Sequence, residues 1–567
     1  MKYLKISLIF AAFIALMSCE DDFLDKQPID QMTDGNYWTS EANVETFSYG
    51  FYAHFFDGYG SGWTWGDYFT GQSLNDDFAP TTPTPWTKNV PTSGGGWSFS
   101  YVRKANLMLE RIDEIPMSEE ATNHWKGVAR FFRGLEYASL VQRFGDVPWF
   151  DHVAETEDKD YLYKPRDPRT EVMQNVLEDF EFAAEHVQDD AGTSGLVVNK
   201  PVVLAFMSRI MLWEGTWQKY HDVPNSDSQE LLEKAKWAAN QVIENYGYAV
   251  EDDYRSMFNS LDLSGNSEMI LYRHYEDGEL THSLMSYQNK EAQTGASKDL
   301  METYLCSDGL PIQLSSEYQG DDGIENVMAN RDPRIYGTFV SDELRINGIV
   351  SNYSTTGYAS HKFLNEDIMD ENIGDGANNP TDAPVIRYGE VLVNYAEACA
   401  ELGEMTQADL DKSINQLRQR GDDPLPPLEI VGDQPAVEGT TYDDPERDPD
   451  VPAMIWEIRR ERRIELVFEG FRLGDLKRWE KLEYTDTRDN EDINRGAYIH
   501  ADDFPDMKNV YIEDGADEGY IVPAHEEGTH RTFTDDRVYL DPIPLEQLSL
   551  YKDNGYTLEQ NPGWESE

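Results

Sequence analysis

Apolar residues recur at spacings of three and four positions in nine stretches of the chain, which is the pattern of helices that bury one face. The predicted helices cover residues 41–56, 99–115, 118–144, 169–187, 200–220, 229–246, 385–402, 407–420 and 452–469. Short intervals with turn-forming residues separate most neighbouring stretches, so consecutive helices are expected to form hairpins. The pattern predicts a mainly α fold. Two-helix units of the tetratricopeptide type are compatible with it, although no repeat of fixed period is visible.

Three stretches lack the helical period. Residues 57–98 are rich in Gly, Pro, Thr and Asn, and residues 276–382, which follow a strand-like run at 268–275, are rich in Gly, Asp, Asn and Tyr. Loops of such length are uncommon in compact domains, so the second stretch is expected to carry function or small strands of its own. The third stretch, 422–450, is a polar, proline-rich insertion between the last two predicted helices.

The first irregular stretch contains four of the thirteen tryptophans of the chain, namely Trp63, Trp65, Trp86 and Trp97. No helical or strand stripe accounts for these rings. They are therefore candidates for stacking against a ligand, and packing of the loop onto the core is an equally weighted alternative. The polar residues between them are Asp67, Gln72, Asn75 and Asp76.

Basic residues crowd into one stretch, 454–479, which holds seven of the forty-seven lysines and arginines. Four glutamates recur there every fourth residue, at Glu457, Glu461, Glu465 and Glu469. On a helix, Glu457 with Arg460 and Arg462 with Glu465 are at pairing distance. The stretch therefore predicts a buried or half-buried charge network that fixes the last scaffold helix, in preference to a ligand site or a nucleic-acid surface.

Composition excludes several partners. The formal net charge is −60, which disfavours nucleic acid and other polyanions and favours neutral or cationic ligands. With 39% hydrophobic residues the chain can bury a large core. The cysteines, Cys19, Cys306 and Cys399, have no metal-ligand spacing, and no cofactor or metal is expected. Acidic pairs such as Asp76 with Asp77 are more typical of solvated turns than of calcium sites.

The N-terminus has the charge and length of a secretory signal peptide over residues 1–18, with Lys2 and Lys5 ahead of an apolar run. The run ends in Leu-Met-Ser-Cys and resembles the lipobox of bacterial lipoproteins, which implies lipidation of Cys19. The acidic residues 20–22 resemble a surface-export signal, with an ordinary acidic spacer as the alternative.

No motif of catalysis is visible. The sequence has no GxSxG elbow, no HExxH, no P-loop and no Gly-rich dinucleotide turn. A glycoside hydrolase with two carboxylates stays open as an alternative, because 107 acidic residues form pairs by chance. The segment RDPR at 331–334 is interpreted as a proline-fixed turn whose guanidiniums bind neighbouring carbonyls or carboxylates.

Six segments together resemble the SusD/RagB family of Bacteroidetes outer-membrane lipoproteins. They are 125–150 (WKGVARFFRGLEYASLVQRFGDVPWF), RDPR at 331–334, 385–403 (VIRYGEVLVNYAEACAELG), INQLRQR at 414–420, the stretch 455–479, and PIPLEQL with QNPGW within 542–564. The resemblance implies four tetratricopeptide-like helix pairs with an irregular ligand-binding region containing a few short strands. It also implies a non-enzymatic protein that captures oligosaccharides and delivers them to a SusC-like TonB-dependent transporter, with peptide capture of the RagB kind as the alternative.

The resemblance further implies a site built from two parts of the chain, the tryptophan-rich loop and the middle region with Tyr287, Gln288 and Tyr318. The expected organisation is a signal peptide (1–18), a lipidated tether (19–40) and one domain (41–567) with binding loops near 57–98 and 276–382. The expected location is the surface of the outer membrane, reached through the lipid anchor, and the expected ligand is a neutral oligosaccharide or polysaccharide.

Overall fold

The computed structural model describes residues 37–69, 74–86, 89–190, 195–526 and 528–565. The α-helices there are α1 (Glu41–Phe55), α2 (Ser100–Ile112), α3 (Glu119–Phe144), α4 (Lys159–Leu162), α5 (Arg169–His186), α6 (Lys200–Tyr220), α7 (Ser228–Asn245), α8 (Ser256–Asn259), α9 (Leu284–Lys290), α10 (Lys298–Thr303), α11 (Ile324–Met328), α12 (Arg334–Thr338), α13 (Tyr388–Glu401), α14 (Gln407–Lys412), α15 (Ile414–Arg418), α16 (Ala453–Glu465), α17 (Arg472–Arg478) and α18 (Leu545–Asp553). The strands are β1 (Phe78–Ala79), β2 (Met269–Arg273), β3 (Gly295–Ala296), β4 (Ala383–Arg387), β5 (Glu429–Val431), β6 (Gln434–Val437), β7 (Thr440–Thr441), β8 (Tyr498–His500) and β9 (Glu518–Tyr520). Short 3₁₀ turns cover Asn372–Gly374, Leu482–Thr485, Glu491–Asn494, Ala501–Asp503, Glu513–Gly515 and Asp536–Tyr539.

The helices pack as pairs along the chain. Helix α3 lies against α2 and α5, α6 lies against α7, and α13 lies against both α7 and α16. Their buried faces form one continuous apolar core. The prediction of a mainly α fold of paired helices with a few short strands is confirmed.

Helix starts follow the local sequence. The Ser118 hydroxyl accepts a hydrogen bond from the Ala121 amide at the start of α3, and the Asn199 side chain accepts one from the Val202 amide at the start of α6 (both 3.1 Å). Both side chains satisfy amide groups that have no partner inside the helix. These two helix starts agree with those predicted from the sequence to within one residue.

Four predicted helices are shorter in the structure by several residues or are divided, and one of them, predicted at 99–115, is α2 (Ser100–Ile112). Residues 383–387 form β4, because Ile386 pairs with Leu271 of β2, and the helix begins only at Tyr388. The predicted helix 407–420 is divided at Ser413, whose backbone angles (φ −128°, ψ −93°) are not helical. Helix α16 ends at Glu465, and the chain then turns at Phe468 (φ +64°), whose ring packs on Phe78 in a second core.

The irregular regions contain small sheets. Strand β1 pairs with β3, β2 with β4, and β8 with β9, all antiparallel. The polar insertion at 422–450 folds into the three-stranded sheet β5–β6–β7. A second apolar cluster, which includes Tyr59, Phe69, Phe258 and Phe363, lies beneath the tryptophan-rich loop and the middle region. This cluster joins the two parts of the chain from which the resemblance predicts a site.

The predicted charge network is present and buried. The Glu465 carboxylate is fully buried and accepts hydrogen bonds from Arg387 (2.7 Å), Arg420 (2.9 Å) and Arg334 (3.1 Å). Glu268, Glu461 and Glu469 join it through the same guanidiniums. The network ties α12, β4 and α15 with its following residues to the end of α16.

One of the two predicted pairs on α16 is wrong. Glu457 does bind Arg460 (3.1 Å), as helical spacing predicts. Arg462 does not bind Glu465; it donates to Asp475 of α17 and to Asn394 of α13, both at 2.8 Å. Because these partners belong to packed neighbouring helices, spacing along α16 alone could not identify them.

The RDPR turn is structural, as predicted. The Arg331 guanidinium donates to the carbonyl oxygens of Met301, Tyr304 and Val327, at 2.6–2.8 Å. Arg334 binds Asp332 (2.7 Å) and the charge network. Across the described ranges, none of the helices combines the length and the apolar character needed to cross a membrane.

Candidate functional site

The tryptophan-rich loop begins directly after α1 with a tight turn. The amide and carbonyl groups of Ser61 and Thr64 bind each other across this turn, each at 3.0 Å, and the Gly62 amide donates to the Thr281 carbonyl (2.8 Å). Gly60 lies at φ +85°, and a Cβ atom there would come within 2.0 Å of the Thr64 carbonyl oxygen. The turn therefore requires glycine, and it places Trp63 at its tip.

The Trp63 side chain is 76% exposed, which makes it the most exposed of the large apolar side chains in the described residues. Its ring lies over Gly376, where an added Cβ atom would be 3.3 Å from the ring. Gly376 thus contacts the six-membered part of the ring, and most of the ring surface is left for a ligand. An exposed, flat aromatic ring suits stacking against an apolar ligand surface.

Trp65 and Tyr287 lie beside this turn. The Trp65 ring NH donates to the Ser283 hydroxyl (3.0 Å), and the Trp65 ring meets the Tyr287 ring edge to face at 4.6 Å. The Tyr287 hydroxyl accepts a hydrogen bond from the Thr294 amide (3.1 Å). Both rings are half-buried, so each is held in place and still reaches the surface. We call Trp63, Trp65 and Tyr287 the ring platform.

Polar groups border the ring platform. Lys290, at the end of α9, forms an ion pair with Asp375 (2.5 Å), and both side chains are exposed. Asp375 directly precedes Gly376, so the pair lies close to the Trp63 ring. Sequence reasoning missed Lys290, Asp375 and Gly376. The available signal was the Gly, Asp and Asn content of residues 374–379 within a region already assigned to function.

The prediction that Trp86 and Trp97 bind a ligand is wrong, because both are core residues. Trp86 is 4% exposed, packs with Trp217, and donates through its ring NH to the Thr485 hydroxyl (2.8 Å). Trp97 is 8% exposed, and its ring meets Phe144 edge to face at 5.0 Å. Neither ring presents a face to a ligand, so for these two tryptophans the core alternative holds.

The prediction that Asn75 and Asp76 bind a ligand is also wrong, because both side chains are buried and have structural roles. Asn75 accepts a hydrogen bond from the Asp77 amide (3.1 Å). Asp76 binds Arg472 through both carboxylate oxygens (2.7 and 2.5 Å). Burial alone would raise the pKa of Asp76, but Arg463 and Arg472 outweigh it and lower the pKa to about 2. This carboxylate therefore anchors the loop to the C-terminal part of the chain.

The remaining predicted residues lie away from the ring platform. Asp67 lines a cavity of about 300 Å³ together with Asp57, Arg209 and Trp213. Burial raises the pKa of Asp67, and Arg209 opposes that shift. Tyr318 donates its hydroxyl to Asp321 and has Arg331 over its ring at 5.5 Å.

Gln288 is buried and accepts a hydrogen bond from the Phe363 amide (2.9 Å), so it supports the second core from below the surface. Cys19 and Gln72 lie outside the described residues. Of the predicted residues, the structure brings together Trp63, Trp65 and Tyr287. In the described part of the chain there is no group of three or more His, Cys, Asp or Glu side chains arranged to hold a metal ion.

Comparison with protein families identifies the class to which this fold belongs. The model of the SusD family matches residues 257–564, and a second model, described as starch-binding and associating with the outer membrane, matches residues 22–212. The first match covers more than half of the chain. The chain belongs to the SusD family.

Relatives and solved structures agree with this assignment. Two SusD-like proteins of Formosa agariphila are 24% and 23% identical to this chain, over 85% and 67% of its length and 92% and 70% of theirs. The structure is similar to that of a SusD-like carbohydrate-binding protein of Bacteroides fragilis (TM-score 0.66, 21% identity, 91% of this chain and 99% of the other). It is also similar to a laminarin-binding SusD-like protein (TM-score 0.56, 16% identity, 93% and 100%).

Proposed function

We propose that the protein binds oligosaccharides on the ring platform. The observation that carries this proposal is the Trp63 ring, which is 76% exposed at the tip of a glycine-dependent turn and is supported by Gly376. Covering an exposed ring of this size with a ligand removes apolar surface from water, which favours binding. Sugar rings carry flat C–H surfaces of matching size, and Trp65 and Tyr287 extend the surface that such a ring would meet.

The border of the platform suits sugar hydroxyl groups. Lys290 supplies donors and Asp375 supplies acceptors at one edge, so a hydroxyl group can both accept and donate there. The net charge of −60 repels polyanions, so the proposed ligand is a neutral glycan. Two similar structures are described as carbohydrate-binding and laminarin-binding, which supports a glycan as the ligand class.

The proposal includes capture without catalysis at the cell surface. Residues 1–18 act as the signal peptide, Cys19 carries the lipid anchor in the outer membrane, and residues 41–567 form one domain. The captured glycan passes to a SusC-like TonB-dependent transporter. The description of the second family model, starch-binding and associating with the outer membrane, supports this location.

The test is gel electrophoresis of the protein lacking residues 1–19 in gels that contain laminarin, starch, xylan or galactomannan. We expect one polysaccharide to retard the protein. Trp63→Ala is expected to weaken that binding about 30-fold, which corresponds to about 2 kcal/mol for a ring at the centre of a site. The matched control is Trp237→Ala, which removes a 44% exposed tryptophan on α7 and should leave the retardation unchanged.

Three results would contradict the proposal. If Trp63→Ala and Trp237→Ala change the retardation equally, the ring platform is not the binding site. Binding to protein digests with no response to any glycan would favour the peptide alternative. Release of reducing ends from the retarding polysaccharide would show a hydrolase.

A further inference from the structure

A second groove opens on the surface beside α16. It has a volume of about 720 Å³, and Trp456, Arg459, Tyr484, Arg488 and Asn490 are among its walls. This volume lies in the range of cavities that hold small ligands, roughly 300–1,000 Å³. None of the three ring-platform residues lines it. We call it the second groove.

The walls of the second groove are held rigidly. The Trp456 ring NH donates to Asp444 (2.8 Å), and the Tyr484 hydroxyl donates to Asp448 (2.5 Å). Behind them, Arg463 binds Asp77 (2.8 Å). Because their polar ends are occupied, the two aromatic side chains contribute mainly ring surface to the groove.

Two guanidinium groups in these walls have unused donors. The Arg459 side chain is 7% exposed and is stacked between Trp479 (4.3 Å) and Tyr220 (5.0 Å). Its Nη2 atom donates to Glu401 (3.3 Å), and its buried Nε atom has no partner among the described residues. A buried donor without a partner is unfavourable by about 1–3 kcal/mol. Because this atom has almost no accessible surface, it offers no donor to a ligand in the groove.

Arg488 is exposed, and its guanidinium has no ion pair or hydrogen bond within the described part of the chain. Arg488 also lines an adjoining cavity of about 360 Å³. It therefore stands between two concave surfaces with its donors free.

The adjoining cavity adds an aromatic surface. Tyr511 and His525 line it, and their rings stack at 4.4 Å and 10°. Tyr511 is 37% exposed. The second groove and this cavity share Arg488, Glu491 and Arg495 as walls, so the two concave surfaces lie side by side, each with ring surface of its own.

The chemistry of these two neighbouring cavities matches a neutral glycan. Ring surfaces suit sugar C–H faces, and the free donors of Arg488 lie beside acceptors such as the exposed Asp489. Nine acidic residues outnumber seven arginines in the walls of the second groove, which disfavours a polyanion. We propose that the second groove, with its Tyr511 extension, is a second binding site for the polysaccharide that the ring platform binds. This inference rests on the proposed function.

Two sites on one chain raise the affinity for a long polysaccharide, because the second contact is intramolecular once the first has formed. A short oligosaccharide reaches one site at a time and gains no such advantage. Removal of the second groove should therefore weaken the binding of the polymer more than the binding of a short fragment to the ring platform.

The test uses calorimetry with the polysaccharide that retards the protein and with its tetrasaccharide. We expect the wild-type chain to bind two tetrasaccharides and the Trp63→Ala variant to bind one. The triple variant, which combines Trp63→Ala, Arg488→Ala and Tyr511→Ala, should bind none. Arg488→Ala alone should lower the affinity for the polysaccharide about tenfold. The control Arg103→Ala removes another exposed arginine with no side-chain partner among the described residues and should change nothing.

The outcomes separate the two proposals. If the wild-type chain binds one tetrasaccharide and Trp63→Ala binds none, the proposal that the second groove is a binding site is wrong. The proposal that the ring platform binds the glycan is then still supported. Absence of binding to every polysaccharide by the wild-type chain overturns both. Melting temperatures of all variants within a few degrees of the wild-type value establish that lost binding is not lost folding.

Discussion

Replacing Glu465 by glutamine should destabilise the protein, because this buried carboxylate binds three guanidinium groups. Burial alone would raise the pKa of this carboxyl group, but Arg420, Arg387 and Arg334 outweigh burial and lower the pKa to about 2. In the unfolded chain a glutamate titrates at its ordinary value of 4.5. The difference corresponds to about 3 kcal/mol of unfolding free energy at pH 7. Glutamine keeps the shape of the side chain and removes the charge.

The pH dependence follows from the direction of the shift. Because the pKa is lower in the folded state, the stabilisation is fully present above about pH 5 and declines as the pH falls toward 2. By pH 3 the difference in unfolding free energy between wild type and Glu465→Gln should have fallen to about half of its value at pH 7. Glu268 shares Arg387 and Arg420 with Glu465, so the replacement also changes how Glu268 titrates, and the comparison reports the loss of the Glu465 charge together with the response of the network.

The assay is urea denaturation of wild type, Glu465→Gln and Glu178→Gln at pH 7 and at pH 3. Glu178 is an exposed residue on α5 with no side-chain hydrogen bond or ion pair within the described ranges, and its replacement should change the unfolding free energy by less than about 0.5 kcal/mol. A loss below 1 kcal/mol for Glu465→Gln at pH 7, or a loss that does not shrink at pH 3, would refute the reasoning.

Two further predictions concern the tryptophan-rich loop. Trp86→Ala should lower the unfolding free energy by about 3–5 kcal/mol, because the Trp86 ring is only 4% exposed. Trp237→Ala, which removes a 44% exposed ring, should have little effect. Equal losses of unfolding free energy for the two variants in urea denaturation would contradict this prediction. Burial and the Asp67 carboxylate raise the pKa of Asp57 to about 6, so its charged form opposes folding above that pH. Asp57→Asn should therefore raise the melting temperature at pH 8 and leave it nearly unchanged at pH 4, and the reverse order in thermal scans would disprove the assignment.

The sequence by itself determined the helical scaffold. Apolar residues spaced three and four positions apart predicted the long helices correctly. Each helix buries one face against its neighbours, and the spacing of apolar residues within the helix itself reflects that burial. It also indicated the buried charge network, since a helix such as α16, with four arginines and three glutamates, has to pair them where it is packed. The structural role of the RDPR turn followed from its proline and arginines in the same way.

Tertiary structure decided which tryptophans face solvent. Trp63 and Trp86 lie in the same type of Gly- and Pro-rich loop, where no periodic pattern separates inside from outside. Trp63 rests on Gly376, and Trp86 is buried against Thr485, 399 residues away. Tertiary structure also decided the ionic partners inside the charge network. Arg462 binds Asp475 and Asn394 on neighbouring packed helices, and it does not bind Glu465 on its own helix. Contacts between distant segments carry no local signature, so burial in loops and the choice of ionic partner became visible only in the folded chain.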